Sequence, residues 1–223
     1  MQVGEPERQT WPYLRRQIPH NWYVDARWPS IGWLNRDEAA ILYNSALQFQ
    51  GRRALEIGCF FGWSACHLAL AGVELDVIDP LLADARMLQS VHGSLQAAGV
   101  RSMVHLHAGA SPHQVIELAR GGGREWSLIF IDGDHDGPAP LQDAQVCSQY
   151  AARDALVLFH DLASPHVAKG WEYFRAQGWQ TRIYHTMQIM GVAWRGEARP
   201  IEHVPDSKLD WDLPEHLAGV RTS

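Results

Sequence analysis

The stretch Leu55-Glu56-Ile57-Gly58-Cys59-Phe60-Phe61-Gly62 narrows most sharply what this chain can fold into. A short apolar run breaks into a glycine turn just where a helical pattern begins, so a buried strand hands over directly to a helix. Gly58 can take a positive φ, and Gly62 lets a ligand and the helix backbone approach, which suits an anionic or polar ligand at the helix N-terminus. A dinucleotide-binding turn would read GxGxxG; here the second glycine falls too late, and the spacing leaves room for a ligand without a pyrophosphate. The bland alternative is a tight turn with a structural role alone.

The same handover repeats along the chain. Asn35 is the expected cap of a helix over 35–49, with Glu38 as its capping-box partner. Strands are expected at 53–58, 74–79, 103–107, 127–132 and 154–159, then at 181–185 and 189–195. Between them lie helices over 64–70, 84–98 (apolar stripe Met87, Leu88, Val91 and Leu95), 111–121, 141–150 and 164–177, the third and fifth opened by Ser111-Pro112 and Ser164-Pro165. Strands separated by helices imply an α/β domain with a doubly wound, Rossmann-like, seven-stranded, mostly parallel sheet and helices on both faces. Residues 1–34 carry Trp11, Trp22, Trp28 and Trp33 among prolines and read as an aromatic lid segment; 35–195 form the main domain; 196–223 are a polar tail, extended or exchanged.

Composition excludes several classes of function. With 46% hydrophobic residues in 223, the chain can build a packed core, yet no apolar run approaches the roughly 18 residues of a membrane span. A net charge of -6 without a basic run argues against nucleic acid or an anionic membrane as partner. Three cysteines in no CxxC pattern, behind an N-terminus without a signal-like apolar stretch, point to a reduced, cytoplasmic setting. The lid segment is too short for a core of its own, so it is expected to pack on the main domain or on a second subunit, the latter giving a homodimer.

Two further positions bear on a ligand. Asp79, at the end of the second strand, can accept hydrogen bonds from both hydroxyls of a ribose, or serve as a turn residue before Pro80. Gly109-Ala110-Ser111 places a small-residue turn where an adenine ring could lie, with Ser111 equally explicable as a helix cap. His67 reads as a surface or core-edge residue, and Cys59 lines the turn with no partnering base.

In this order the pieces resemble the class I S-adenosylmethionine-dependent methyltransferases. Glu56 to Gly62 is similar to their first glycine motif, Asp79 to their ribose-binding acid and Gly109 to Ser111 to their adenine-side turn. Ile131-Asp132-Gly133-Asp134-His135 and Leu158-Phe159-His160-Asp161 resemble the small metal-dependent O-methyltransferases, the branch with the catechol and antibiotic-tailoring enzymes; the resemblance spans about 35–195. It implies an S-adenosylmethionine pocket from Glu56, Gly58, Gly62, Asp79, Gly109, Ala110, Ser111 and Asp132, and a small-molecule acceptor methylated on a hydroxyl. In such a sheet the fourth and fifth strands are neighbours, so Asp132, Asp134, His160 and Asp161 would converge as ligands to a divalent metal, with His135 or Asp134 as the base. Oxygen ligands with water suit Mg²⁺, and a histidine in the set tilts the preference toward Mn²⁺, Fe²⁺ or Zn²⁺. His160 departs from the family, which often has two acids, or an acid and an amide, after the fifth strand. The alternatives are a metal-independent methyltransferase with a histidine base, a non-catalytic cofactor-binding module, and two aspartates that only shape a turn.

Overall fold

The computed structural model describes residues 34, 36–122, 125–204 and 212–220. Asn35 and nearly all of the lid segment lie outside the described residues. The elements run α1 (Arg36–Leu47), β1 (Arg53–Ile57), α2 (Trp63–Leu70), β2 (Glu74–Asp79), α3 (Ala85–Ala97), β3 (Val104–Ala108), α4 (His113–Gly122), β4 (Trp126–Ile131), α5 (Ala139–Tyr150), β5 (Ala151–Phe159), α6 (Pro165–Ala176), β6 (Gln180–Tyr184) and β7 (Met190–Arg195). Each of the first five strands is followed by a helix, and the seven strands form one sheet in the order β3-β2-β1-β4-β5-β7-β6. The expected Rossmann-like sheet is therefore present, mixed in direction. Among the described residues no helix is long and apolar enough to cross a membrane.

The chain divides into two compact units, Met1–Ala110 and Ser111–Ser223. In the first, β1, β2 and β3 pair in parallel, Ile57 opposite Ile78 and Asp79 opposite Ala108. Leu55, Leu75, Val77 and Ile78 are buried, the near-continuous apolar run that a strand covered on both faces requires. Asp84 caps α3 by accepting from the backbone N–H groups of Arg86 and Met87, and the stripe at Val91 and Leu95 is fully buried.

In the second unit β4 and β5 pair in parallel, while β7 runs antiparallel to both β5 and β6. Ser164 caps α6 as expected, its hydroxyl accepting from the His166 N–H at 3.3 Å. Ser111 does not cap α4: its hydroxyl is buried and accepts from no α4 backbone N–H among the described residues. The tail returns to its own chain, because Leu217, in a single helical turn at Glu215–Leu217, is fully buried. Helices α5 and α6 meet at Gly170, where a Cβ would stand 2.7 Å from the Pro140 carbonyl oxygen and 3.3 Å from the Ala144 methyl. A backbone atom cannot move aside cheaply, so Gly170→Ala is expected to lower stability by about 1 to 3 kcal/mol in urea unfolding. Unchanged stability would mean that the two helices are not in close contact there.

Candidate functional site

The glycine turn of the first unit is held by a carboxylate. Gly58, at φ 84°, and Phe60, at φ 46°, turn the chain out of β1, and Gly62, at φ 88°, opens α2. Asp79 closes over this turn. One of its oxygens accepts from the backbone N–H groups of Cys59 (2.9 Å) and Phe60 (3.1 Å), and the other from Leu81 (2.8 Å). Asp79 thus has the turn-forming role that the sequence offered as its bland reading. At Gly62 an added Cβ would lie 3.2 Å from Val91 Cγ1, so the missing side chain also lets α2 pack closely against α3. Glu56 is fully buried and accepts from the Ser64 hydroxyl. Burial, reinforced by Glu56 and Asp79, pushes the Cys59 thiol well above its ordinary range, which makes it a poor nucleophile. Gly109 and Ala110 follow β3 directly, with the Gly109 N–H 3.4 Å from the Asp79 carbonyl. His67, expected near the surface, is fully buried; its Nδ1 donates to the Trp63 carbonyl, and burial lowers its pKa to about 4.

The second unit gathers four of the remaining candidates into one cluster. Asp132 follows β4 directly, and His160 and Asp161 follow β5. His135 Nε2 lies 3.4 Å from Asp132 Oδ1 and 3.1 Å from Asp161 Oδ2; His160 Nδ1 lies 3.2 Å and 2.8 Å from the same two oxygens. Two carboxylates and two imidazoles therefore alternate around a small ring. One atom each from Asp132, His135 and Asp161 falls within 4.8 Å of the others, a spacing that a metal ion can span. His160 is 1% exposed and backs the ring, while the His135 side chain is 44% exposed. Asp134, read as a ligand, stands apart: it is exposed, and its Oδ1 accepts from the Asp136 N–H at 3.0 Å. The set assembled by the fold thus has His135 where the sequence reading placed Asp134 and His160.

Electrostatics within the ring are consistent. The hydrogen bond to Asp132 raises the pKa of His135 against the cost of burial, with Asp161 adding to the rise. Burial would raise the pKa of Asp132, but the two imidazoles outweigh it and hold the carboxyl below its ordinary range. Asp161 adopts φ 58°, a left-handed conformation uncommon outside glycine, and so turns its side chain back toward Asp132. The Ser164 hydroxyl donates to the His135 carbonyl at 3.1 Å, and the Gly137 N–H donates to His166 Nδ1 at 3.0 Å, tying the loops after β4 and β5 together.

Asp143 on α5 was not foreseen. It shares the helix's buried face with Pro140, Ala144 and Cys147, so an acid at a position whose helical period demands an apolar residue was the signal to follow. Burial pushes its pKa up to about 6; the Ser111 hydroxyl opposes the shift and Asp134 adds to it.

Residues 55–162 match the family model described as a methyltransferase domain. Among curated proteins no relative matches the sequence. The O-methyltransferase TomG of Streptomyces achromogenes, involved in tomaymycin synthesis and solved with SAM, superposes with a TM-score of 0.62 at 19% identity, over 75% of this chain and 83% of that one. An O-methyltransferase of Bacillus cereus in complex with SAH gives 0.62 at 11% identity, over 75% and 84%. The SAH-bound methyltransferase PaMTH1 of Podospora anserina gives 0.55 at 16%, over 73% and 80%. At such identities the likeness is one of fold.

Because the folded pKa of Asp143 is raised, the native state holds its proton more tightly than the unfolded chain does. That contribution to stability is lost as pH climbs from about 4 through about 6. Asp143→Asn is expected to flatten this part of the stability profile and to raise stability at pH 7.5 by roughly 2 to 3 kcal/mol. Urea unfolding at pH 5 and pH 7.5 measures it, and parallel profiles for the two proteins would refute it.

Proposed function

We propose, from the match of residues 55–162 to the family model described as a methyltransferase domain, that the protein transfers the methyl group of S-adenosylmethionine to a hydroxyl of a small-molecule acceptor with the help of a divalent cation. The observation that supports the metal is the donor set Asp132, His135 and Asp161, two carboxylate oxygens and an imidazole nitrogen within 4.8 Å of one another. One nitrogen among oxygens tilts the choice from Mg²⁺ toward Mn²⁺, Fe²⁺ or Zn²⁺. His160 completes the fit, since its Nδ1 reaches both carboxylates from the buried side and orients them.

A cation bound there lowers the pKa of an acceptor hydroxyl and holds it in place. The chain's own residues supply the rest. The Asp132 carboxylate is kept ionised and ready to ligate by its two imidazole neighbours. His135 Nε2 cannot ligate and take a proton at once, so Asp134, exposed and fixed by the Asp136 N–H, is the base when the cation is present. On the donor side, Asp79 and the Gly58 turn set the cradle for the ribose, Gly109, Ala110 and Ser111 line the adenine, and Glu56 and Ser64 stiffen the start of α2.

A second reading keeps methyl transfer but needs no metal. His135 then acts as the base, already raised in pKa by Asp132 and open to the acceptor. Calorimetry and elemental analysis separate the two. Under the metal reading, protein purified without chelator binds S-adenosylmethionine and takes up about one equivalent of Mn²⁺. Asp161→Ala is expected to abolish metal uptake with donor affinity nearly intact. Gly58→Val is expected to abolish donor binding while circular dichroism still reports the folded sheet, because a β-branched residue resists positive φ. Unchanged donor affinity in Gly58→Val would end the cofactor assignment, and wild-type protein that takes up no metal would leave the histidine-base reading.

A further inference from the structure

The loop that carries Asp161 is gripped from two directions by segments that belong to neither β4 nor β5. The residue after Asp161, Leu162, is fully buried. Its N–H donates to the Ile189 carbonyl at 2.9 Å, in the turn between β6 and β7. Its carbonyl accepts from His216 Nε2 at 2.9 Å, in the C-terminal turn Glu215–Leu217. Its side chain leans over β7 at Gly191, where an added Cβ would come within 2.8 Å of it. The Asp161 carbonyl accepts from the Ser164 N–H at 2.8 Å, so every polar backbone group from the Asp161 carbonyl to the Leu162 carbonyl is bonded.

This grip accompanies backbone strain. Asp161 lies at φ 58° and Ile189 at φ 56°; the first is tolerable for an aspartate, the second an outlier for a β-branched side chain. Such conformations persist only where surrounding contacts over-determine them. His216 supplies one such contact, and because a carbonyl can only accept, its Nε2 carries the proton there. Leu217 anchors the turn: it is fully buried although the residues on both sides of it are exposed.

We propose that the C-terminal turn is a working part of the metal centre, with His216 a positioning residue that holds Asp161 in its ligating conformation through the Leu162 carbonyl. The inference rests on the reading of Asp132, His135 and Asp161 as a cation site. Removing the donor frees the Leu162 peptide to rotate, Asp161 relaxes toward negative φ, and its carboxylate leaves the ring.

The test uses the full-length protein and Mn²⁺ alone, with binding followed by loss of the free-ion paramagnetic resonance signal and global stability by urea unfolding. His216→Ala is expected to weaken Mn²⁺ binding about tenfold, the lower end of what losing an outer support of a metal ligand costs. His216→Gln, whose side-chain amide can still donate to the carbonyl, is expected to recover most of it. Wild-type affinity in His216→Ala would overturn the proposal. So would a loss that tracks a general drop in stability and is not rescued by glutamine, since the turn would then only support the fold. If wild-type protein binds no Mn²⁺, the cation reading falls and takes this inference with it, an outcome distinct from the other two.

Discussion

Bringing two carboxylates together in a half-buried loop is the constraint around which the second unit is organised. Asp132 and Asp161 expose only 18% and 17% of their side chains, and their facing oxygens share the same two imidazole neighbours. Two like charges within about 5 Å repel by roughly 3 to 4 kcal/mol at an effective dielectric constant near 20. A chain that places them so must neutralise them, with protons on His135 and His160 or with a cation. This requirement explains why both histidines sit where they do and why the pKa of Asp132 stays low despite burial.

The first unit answers a milder version of the same problem with backbone alone. Asp79 is 5% exposed, and three N–H groups, those of Cys59, Phe60 and Leu81, converge on its two oxygens. Hydrogen bonds to an ionised acceptor are worth about 1.5 to 3 kcal/mol each, enough to keep a turn containing Phe60 at positive φ in one shape. The acid and the glycines therefore act as one unit: Gly58 permits the turn and Asp79 selects it.

Much of this was legible in the sequence because its causes are local. Asp84 and Ser164 announce helix starts through their own hydrogen bonds, and the apolar runs of β1, β2, β4 and β5 need no partner to be recognised. What the sequence hid depends on loop backbone and on packing between distant segments. Asp134 and His135 are neighbours in chain and chemistry, yet only the path of the loop decides that His135 turns inward while Asp134 bonds Asp136 and faces water. Gly62 reads in sequence as room for a ligand, and only the folded position of Val91 shows that it also makes room for α3. The tail offered no periodicity, so the burial of Leu217 and the bond from His216 were invisible until the chain was folded.

The reversal of β7 has a mechanical meaning. Because β7 runs against β5, its first residues lie beside the last residues of β5, Gly191 opposite Phe159. A parallel strand in that place would bring its far end to this edge, followed by the long crossover that parallel connections need. The antiparallel strand brings a short hairpin turn whose ends are clamped by paired strands on both sides. An irregular loop thereby acquires the stiffness of a sheet edge: the peptide after Asp161 is braced against a hydrogen-bonded girder, and side-chain aim at the end of β5 is governed by strand pairing two strands away.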